Sequence, residues 1–178
     1  MKERPNWDEY FMQLAKFAST RATCFSPAKG AVIVLDKNVI STGYNGAPAG
    51  MQNCKYDRKE CRRRTQGFNS GEGLHLCRGT HAEANAIVQA AKLGHSVKGA
   101  TMYCSHQPCN DCAKLIINAG IVKVVFLEEY PESESLEWFK EGNVEAYKLI
   151  ESRLVDLRSI SNLEKYSGLE SPERFKER

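Results

Sequence analysis

An α/β fold built around parallel β-α-β units is what this sequence predicts. The main observation is a change of rhythm at Thr80, after which short β-branched runs alternate with helical stretches. A hairpin pattern across residues 31–44 supplies a second, antiparallel component. The size agrees, since 178 residues with 42% hydrophobic and 26% charged side chains make one ordinary globular domain.

The elements follow in order. Asn6 with Glu9 three residues later is a capping pattern, and Tyr10, Phe11, Leu14, Phe17 and Ala18 recur at helical spacing, so a helix is expected to about Thr20. Ala31–Leu35 is a buried strand candidate, Asp36-Lys37-Asn38 a turn, and Val39–Tyr44 the returning strand. Residues 45–79 look irregular, and a loop of that length in a compact domain is expected to be functional or tied down. His81–Leu93 is alanine-rich and helical, Thr101–Cys104 a strand, Cys109–Ala119 a helix stopped by Gly120, and Ile121–Leu127 a strand. Ser133–Glu141 and Glu145–Val155 read as helices. The expected division is a domain over 1–158, holding a tied loop at about 45–79, and a polar tail over 159–178.

Composition narrows the function. The net charge of +3, from 25 basic and 22 acidic residues, is too small to imply nucleic-acid binding by itself. No apolar run reaches the roughly 18 residues that would span a membrane. The first residues, Met1-Lys2-Glu3-Arg4-Pro5, show no secretory pattern, so a cytoplasmic address is expected. Seven cysteines in such a chain favour metal ligation over disulfides.

The chemistry concentrates in His81-Ala82-Glu83 and Pro108-Cys109-Asn110-Asp111-Cys112, each opening an expected helix. Cys109 and Cys112 share a helix face in the first turn, where the positive helix end favours thiolates. With His81 they offer three zinc ligands. Such a site leaves a fourth position for water and lowers that water's pKa towards about 7. Glu83 beside that water can move its proton to a ring nitrogen and then to a leaving amine. The combination is the signature of zinc nucleobase deaminases. Thr80 with Glu83 also fits a capping box, a rival role for the carboxylate.

These segments, with Thr23-Cys24, Gly30–Val34, Thr42-Gly43-Tyr44-Asn45-Gly46-Ala47-Pro48-Ala49-Gly50 and Gly99–Tyr103, resemble the deoxycytidylate (dCMP) deaminases of the cytidine and deoxycytidylate deaminase superfamily. The match runs from about Trp7 to Val144. The resemblance implies a three-layer α-β-α fold with a five-stranded mixed sheet, helices on both faces, hairpin strands antiparallel and the rest parallel. It implies hydrolysis of dCMP to dUMP and ammonia, supplying dUMP for dTMP synthesis. By the same resemblance His81, Cys109 and Cys112 hold the catalytic zinc and Glu83 shuttles protons. Asn45 contacts sugar or base, the Ala82 N–H meets the cytosine carbonyl, and Tyr130 lies near the nucleotide.

Further implications concern regulation and a second metal. Relatives are activated by dCTP, with Mg2+ accompanying the triphosphate, and inhibited by dTTP. Gly43, Tyr44 and Gly46, together with Lys92, match positions at effector or subunit contacts. A hexamer is implied. Cys24 and Cys54 match ligands of a second, structural zinc, with His75 and Cys77 as the completing pair and Cys61 as a rival. Gly43, Gly46 and Gly50 permit positive φ and close backbone approach, which suits a phosphate or sugar. Relatives place a basic residue and then valine before the first strand's glycine. Here Ala28-Lys29 precedes Gly30, which displaces the basic side chain and leaves its phosphate contact open.

Rival functions are deamination of adenosine in tRNA or of another nucleoside, and a non-catalytic zinc module that binds nucleic acid through Arg62-Arg63-Arg64. The arginines are expected to be a solvated face. No membrane or nucleic-acid partner is expected. The role of His106, beside the zinc motif, is open.

Overall fold

The computed structural model describes residues 4–69, 72–130 and 133–150. The expected tail over 159–178 lies outside these residues. One five-stranded sheet organises them, made of β1 (Gly30–Leu35), β2 (Asn38–Tyr44), β3 (Thr101–His106), β4 (Lys123–Glu128) and β5 (Glu145–Lys148). The order is β2-β1-β3-β4-β5. β1 is antiparallel to both β2 and β3, whereas β3, β4 and β5 are mutually parallel. The sheet is therefore mixed, as expected.

Helix α1 (Trp7–Ser19) covers one face. Its start is fixed by a reciprocal cap, in which the Glu9 N–H donates to Asn6 Oδ1 and the Asn6 N–H to Glu9 Oε2. α3 (Ala82–Lys92), α4 (Asn110–Asn118) and α5 (Ser135–Glu141) follow later in the chain. Strand alternation divides the core between the faces. Val32 and Val34 pack with Phe11, Met12 and Ala15 of α1, whereas Ala31 and Ile33 pack with Ala86, Ala90, Ile116 and Phe139 on the other side. This is the three-layer arrangement.

Two glycines let the helices approach the sheet. A Cβ on Gly30 would lie 2.6 Å from Ser19 N of α1, and one on Gly43 would lie 2.5 Å from Ala86 N of α3. Neither position takes a positive φ. Of Gly43, Gly46 and Gly50, only Gly50 does, at 84°. Of the two uses expected of Gly43 and Gly46, positive φ is not taken, whereas close approach is, against α3 for Gly43 and against Thr23 for Gly46.

The hairpin turn is Asp36-Lys37, with φ of 49° and 63°, the doubly left-handed turn that matches strand twist. The expected helix over Glu145–Val155 is corrected at its start. Residues 145–148 form β5, and 151–155 lie outside the described residues. Side-chain alternation explains the outcome. Ala146 joins the core under α4 and α5, while the Tyr147 hydroxyl donates to Asp8 Oδ2 of α1 at 2.6 Å.

Within 45–79 the chain forms a π-helical turn (Cys54–Arg58), a short helix α2 (Arg62–Thr65) and a 3-10 turn (Leu74–Leu76). The expectation of a solvated arginine face fails for Arg63, which is buried. Its Nε donates to Glu72 O and one terminal nitrogen to Asn69 O, both at 2.6 Å. Arg64 donates to Phe25 O at 3.1 Å. Charge-assisted bonds to carbonyls offset the burial of Arg63 and tie the loop.

Candidate active site

The site lies where β3 and β4 end, β1 begins, and α3 and α4 start, because β1 runs antiparallel to β3. A cavity of about 410 Å³ opens there. His81 is the N-cap of α3 and Cys109 that of α4, and neither makes a side-chain cap bond, so both side chains stay free for another partner. Thr80 does not cap α3. It exchanges two backbone bonds with Gly46, at 2.8 and 3.1 Å, which anchors the residue before His81.

His81 Nδ1 stands 3.3 Å from Cys109 Sγ and 3.5 Å from Cys112 Sγ. All three donor atoms lie within 4.8 Å of one another. Tetrahedral zinc with Zn–S of about 2.3 Å and Zn–N of about 2.0–2.1 Å has edges of roughly 3.5 Å. The donor set and its spacing fit zinc. Cys109 is held down to about 4, its neighbour Cys112 being the largest cause and His81 adding to the effect, and Cys112 is pushed up in return. The arrangement favours a thiolate at Cys109. The helix starts favour it.

Glu83 faces the same cavity and is only 4% exposed. Burial raises its pKa, against the opposing pull of its own N–H and of His81. Cys112 Sγ donates to Glu83 Oε2 at 3.5 Å. A buried carboxyl of raised pKa beside a His-Cys-Cys triad is suited to acid–base exchange with a substrate.

Of the residues expected to contact the nucleotide, Asn45 and Tyr130 line this cavity and Ala82 does not. Asn45 is buried at the cavity wall. Its Oδ1 accepts from the Lys29 N–H at 2.9 Å and its Nδ2 donates to Pro27 O at 3.0 Å. The side chain therefore fixes residues 27–29, leaving one amide hydrogen for another acceptor. Ala82 is the first residue of α3, so its N–H has no partner within the helix. Tyr130 lines the cavity, and its N–H donates to Gln107 Oε1 at 3.3 Å. Gln107, which sequence reasoning passed over, is buried and also donates to Ser135 Oγ at 3.0 Å.

His106 acquires a defined environment. The Gly30 N–H donates to Ser105 Oγ at 3.0 Å, and that hydroxyl lies 3.0 Å from His106 Nδ1. His106 Nε2 is 3.1 Å from Glu128 Oε2. With Nδ1 accepting from Ser105, Nε2 carries the proton and donates to Glu128. Burial, followed by the charge of Lys29, lowers the pKa of His106, which keeps the ring neutral at pH 7.

The remaining cysteines divide. Cys104 is fully buried in β3. The Cys54 thiol is pushed up by burial and then by the charges of Cys24, Cys61 and Cys77, while Arg78 opposes them. Among the described residues, His81, Cys109 and Cys112 form the only group of three or more His, Cys, Asp or Glu side chains with ligand atoms within 4.8 Å of one another, so the thiols of Cys24, Cys54, Cys61 and Cys77 are not drawn together to that distance. His75 sets its ring edge-on to Phe68, with centroids 6.3 Å apart. Lys92 is exposed at the last turn of α3, roughly 16 Å along the helix from His81. Tyr44 is half-buried, and its carbonyl accepts from Asn85 Nδ2 at 2.7 Å.

Comparison with known proteins agrees with this geometry. The family described as the cytidine and deoxycytidylate deaminase zinc-binding region matches residues 5–128. The deoxycytidylate deaminase of Mycobacterium phage D29 is 41% identical over 131 residues, covering 71% of this chain and 98% of that protein. ComE operon protein 2 of Bacillus subtilis is 35% identical over 174 residues, covering 94% and 84%. The crystal structure of a dCMP deaminase from cyanophage S-TIM5, in complex with dCMP and dUMP, superposes with a TM-score of 0.68 at 30% identity, covering 83% of this chain and 99% of that one. The His81, Glu83, Cys109 and Cys112 constellation therefore stands within a family match that spans most of the chain, and the chain belongs to the cytidine and deoxycytidylate deaminase family.

Proposed function

We propose that this protein hydrolyses dCMP to dUMP and ammonia. The observation that carries this reading is the buried Glu83 carboxylate, set in one cavity with His81 and Cys109. Relatives that bear the name deoxycytidylate deaminase, and a structural neighbour solved with dCMP and dUMP, supply the substrate.

When held by His81, Cys109 and Cys112, zinc supplies the Lewis acidity that makes water nucleophilic near neutral pH. Glu83 accepts the proton of the water that attacks C4 and passes it to ring N3. It then moves the remaining hydroxyl proton to the exocyclic nitrogen. The C4–N4 bond breaks, ammonia departs and a carbonyl is left at C4. Ala82 offers its N–H to the cytosine carbonyl, and Tyr130 walls the nucleotide side. The buried position of Glu83 excludes bulk water from the exchange.

Four thiols, Cys24, Cys54, Cys61 and Cys77, make up a second, structural zinc site in this reading. The support is that Cys24, Cys61 and Cys77 each lie near enough to act on Cys54, and four thiols would close a tetrahedron once drawn together by the metal. The family resemblance extends the reading to a hexamer controlled by dCTP with Mg2+ and by dTTP. Exposed Lys92, far from the cavity, serves an effector only across a subunit contact. The chain over 1–158 is then the working domain.

Ammonia release from dCMP, deoxycytidine and CMP, measured on zinc-loaded protein with and without dCTP and Mg2+, tests the reading. Preferential turnover of dCMP is expected. No release from dCMP under either condition overturns it.

A further inference from the structure

We propose that Gln107 is a positioning residue for the deamination, one that touches no substrate atom and holds Tyr130 at the cavity wall by tying its backbone to buried Ser135. The proposal rests on the deaminase reading and names a group that shapes the same site. Gln107 follows the last residue of β3 and precedes Pro108 and Cys109, so it links the sheet to the start of α4. It is 5% exposed, and it lines the catalytic cavity together with Tyr130.

This one residue bonds three positions of the chain that leads from β4 into α5. Its N–H donates to Glu128 O at 2.7 Å, which carries the parallel pairing of β3 with β4 one step further. Its Oε1 accepts from the Tyr130 N–H at 3.3 Å, and its Nε2 donates to Ser135 Oγ at 3.0 Å. The orientation of the amide is dictated, because a backbone N–H can only donate and must face the oxygen. Ser135 is fully buried and begins α5, so the far end of the bridge is fixed.

Close packing does not fix Tyr130 in its place. A second hollow of about 340 Å³ shares Gln107 and Tyr130 with the catalytic cavity, so Tyr130 borders open space in both. Bonds to its backbone therefore decide where it stands. The Ser133 N–H donates to Tyr130 O at 3.0 Å, which closes the turn on itself without joining Tyr130 to the sheet. Lys29 meets the ring, with Nζ 5.0 Å from the centroid, and leaves the backbone unheld. The α5 end of the turn is secured separately, since Ser133 Oγ donates to Pro108 O at 2.9 Å and the Glu134 N–H to Asn110 Oδ1 at 3.0 Å. The Tyr130 end depends on Gln107. A wall residue displaced by about 1 Å is enough to impair productive binding.

The experiment compares wild type, Gln107→Met and Ser135→Ala, with Gln107→Met repeated in a Tyr130→Ala background. In Gln107→Met, KM for dCMP should rise by about 5- to 30-fold, the size of one or two lost hydrogen bonds, while kcat and zinc content change much less. Ser135→Ala cuts the far end of the bridge, outside the cavity, and should raise KM in the same direction. It also decides the matter if the Met variant fails to fold. With Tyr130 already truncated, adding Gln107→Met should raise KM no further, the non-additivity expected of residues that act as a unit. Amide exchange at Tyr130 should be faster in Gln107→Met. That readout needs no turnover, so a wild type silent on dCMP sinks the deaminase reading and still leaves the tie between Gln107 and Tyr130 decided. A lower melting temperature with unchanged KM would reduce Gln107 to a structural role. A full effect persisting in the Tyr130→Ala background would mean direct contact with substrate. Either result overturns the assignment.

Discussion

Cys112 Sγ stands 3.5 Å from Glu83 Oε2, so a thiol of α4 touches the carboxyl of α3 that is proposed to carry the proton. The two helices are locked at their starts, through the Gly46–Thr80 backbone pair for α3 and the Ser133 hydroxyl, 2.9 Å from Pro108 O, for α4. The prediction concerns Glu83→Gln, which keeps the shape and loses the basicity. Its kcat on dCMP should fall by about 10²–10⁴-fold, the usual weight of a positioned acid–base group. Zinc content by metal analysis should not change, because all three ligands remain. A Gln variant with wild-type turnover would remove the mechanism.

A pH dependence of stability follows from the same carboxylate. Burial raises the folded pKa of Glu83 above the ordinary 4.5, so the folded chain keeps this proton to higher pH than the unfolded chain. Stability from the neutral form is complete below the unfolded value and is lost as pH rises through the folded one. Gln cannot ionise. In metal-free protein, the urea midpoint of Glu83→Gln should therefore exceed that of wild type at pH 8, with the gap narrowing towards pH 5. A gap independent of pH would contradict the assignment.

The parts of this site that the sequence reveals are those set by local chemistry. His81, Glu83, Cys109 and Cys112 sit at helix starts whose caps and flanking residues are readable within a few positions. The rest depends on partners distant in sequence. Residues 145–148 carry a helical pattern, yet Tyr147 gains a bond to Asp8 and pairs as an edge strand. Arg63 reads as a solvent charge, and only the carbonyls of Asn69 and Glu72, brought round by the loop, account for its burial. Gln107 carries no motif at all, and its value comes from Tyr130 and Ser135.

Gly43→Ala tests how closely the sheet supports the catalytic helix. The added Cβ would lie 2.5 Å from Ala86 N and inside the contact distance of Ala82 O, both backbone atoms of α3. No rotamer relieves such an overlap, so α3 must move away from β2. Overpacking of this kind costs about 1–3 kcal/mol. A melting temperature lower by roughly 2–12 °C is expected for a chain of this size. Because His81 caps the displaced helix, zinc retention during dialysis against chelator should fall as well. An unchanged melting temperature would show that the contact is not limiting.

The choice between Cys61 and His75 as fourth partner of the sulfur cluster can be read from metal content. Cys61 acts on Cys54 together with Cys24 and Cys77, whereas the exposed His75 ring packs on Phe68. Cys61→Ser and Cys54→Ser should each lower zinc by about one ion per chain, since a structural site needs all four ligands closed. His75→Ala should keep wild-type zinc and change stability by only about 0.5 kcal/mol, as is usual for an exposed surface position. Loss of zinc in His75→Ala with retention in Cys61→Ser would reverse the ligand assignment. If all three variants hold the single zinc of the His81 site, as wild type then also would, the cluster is four free thiols.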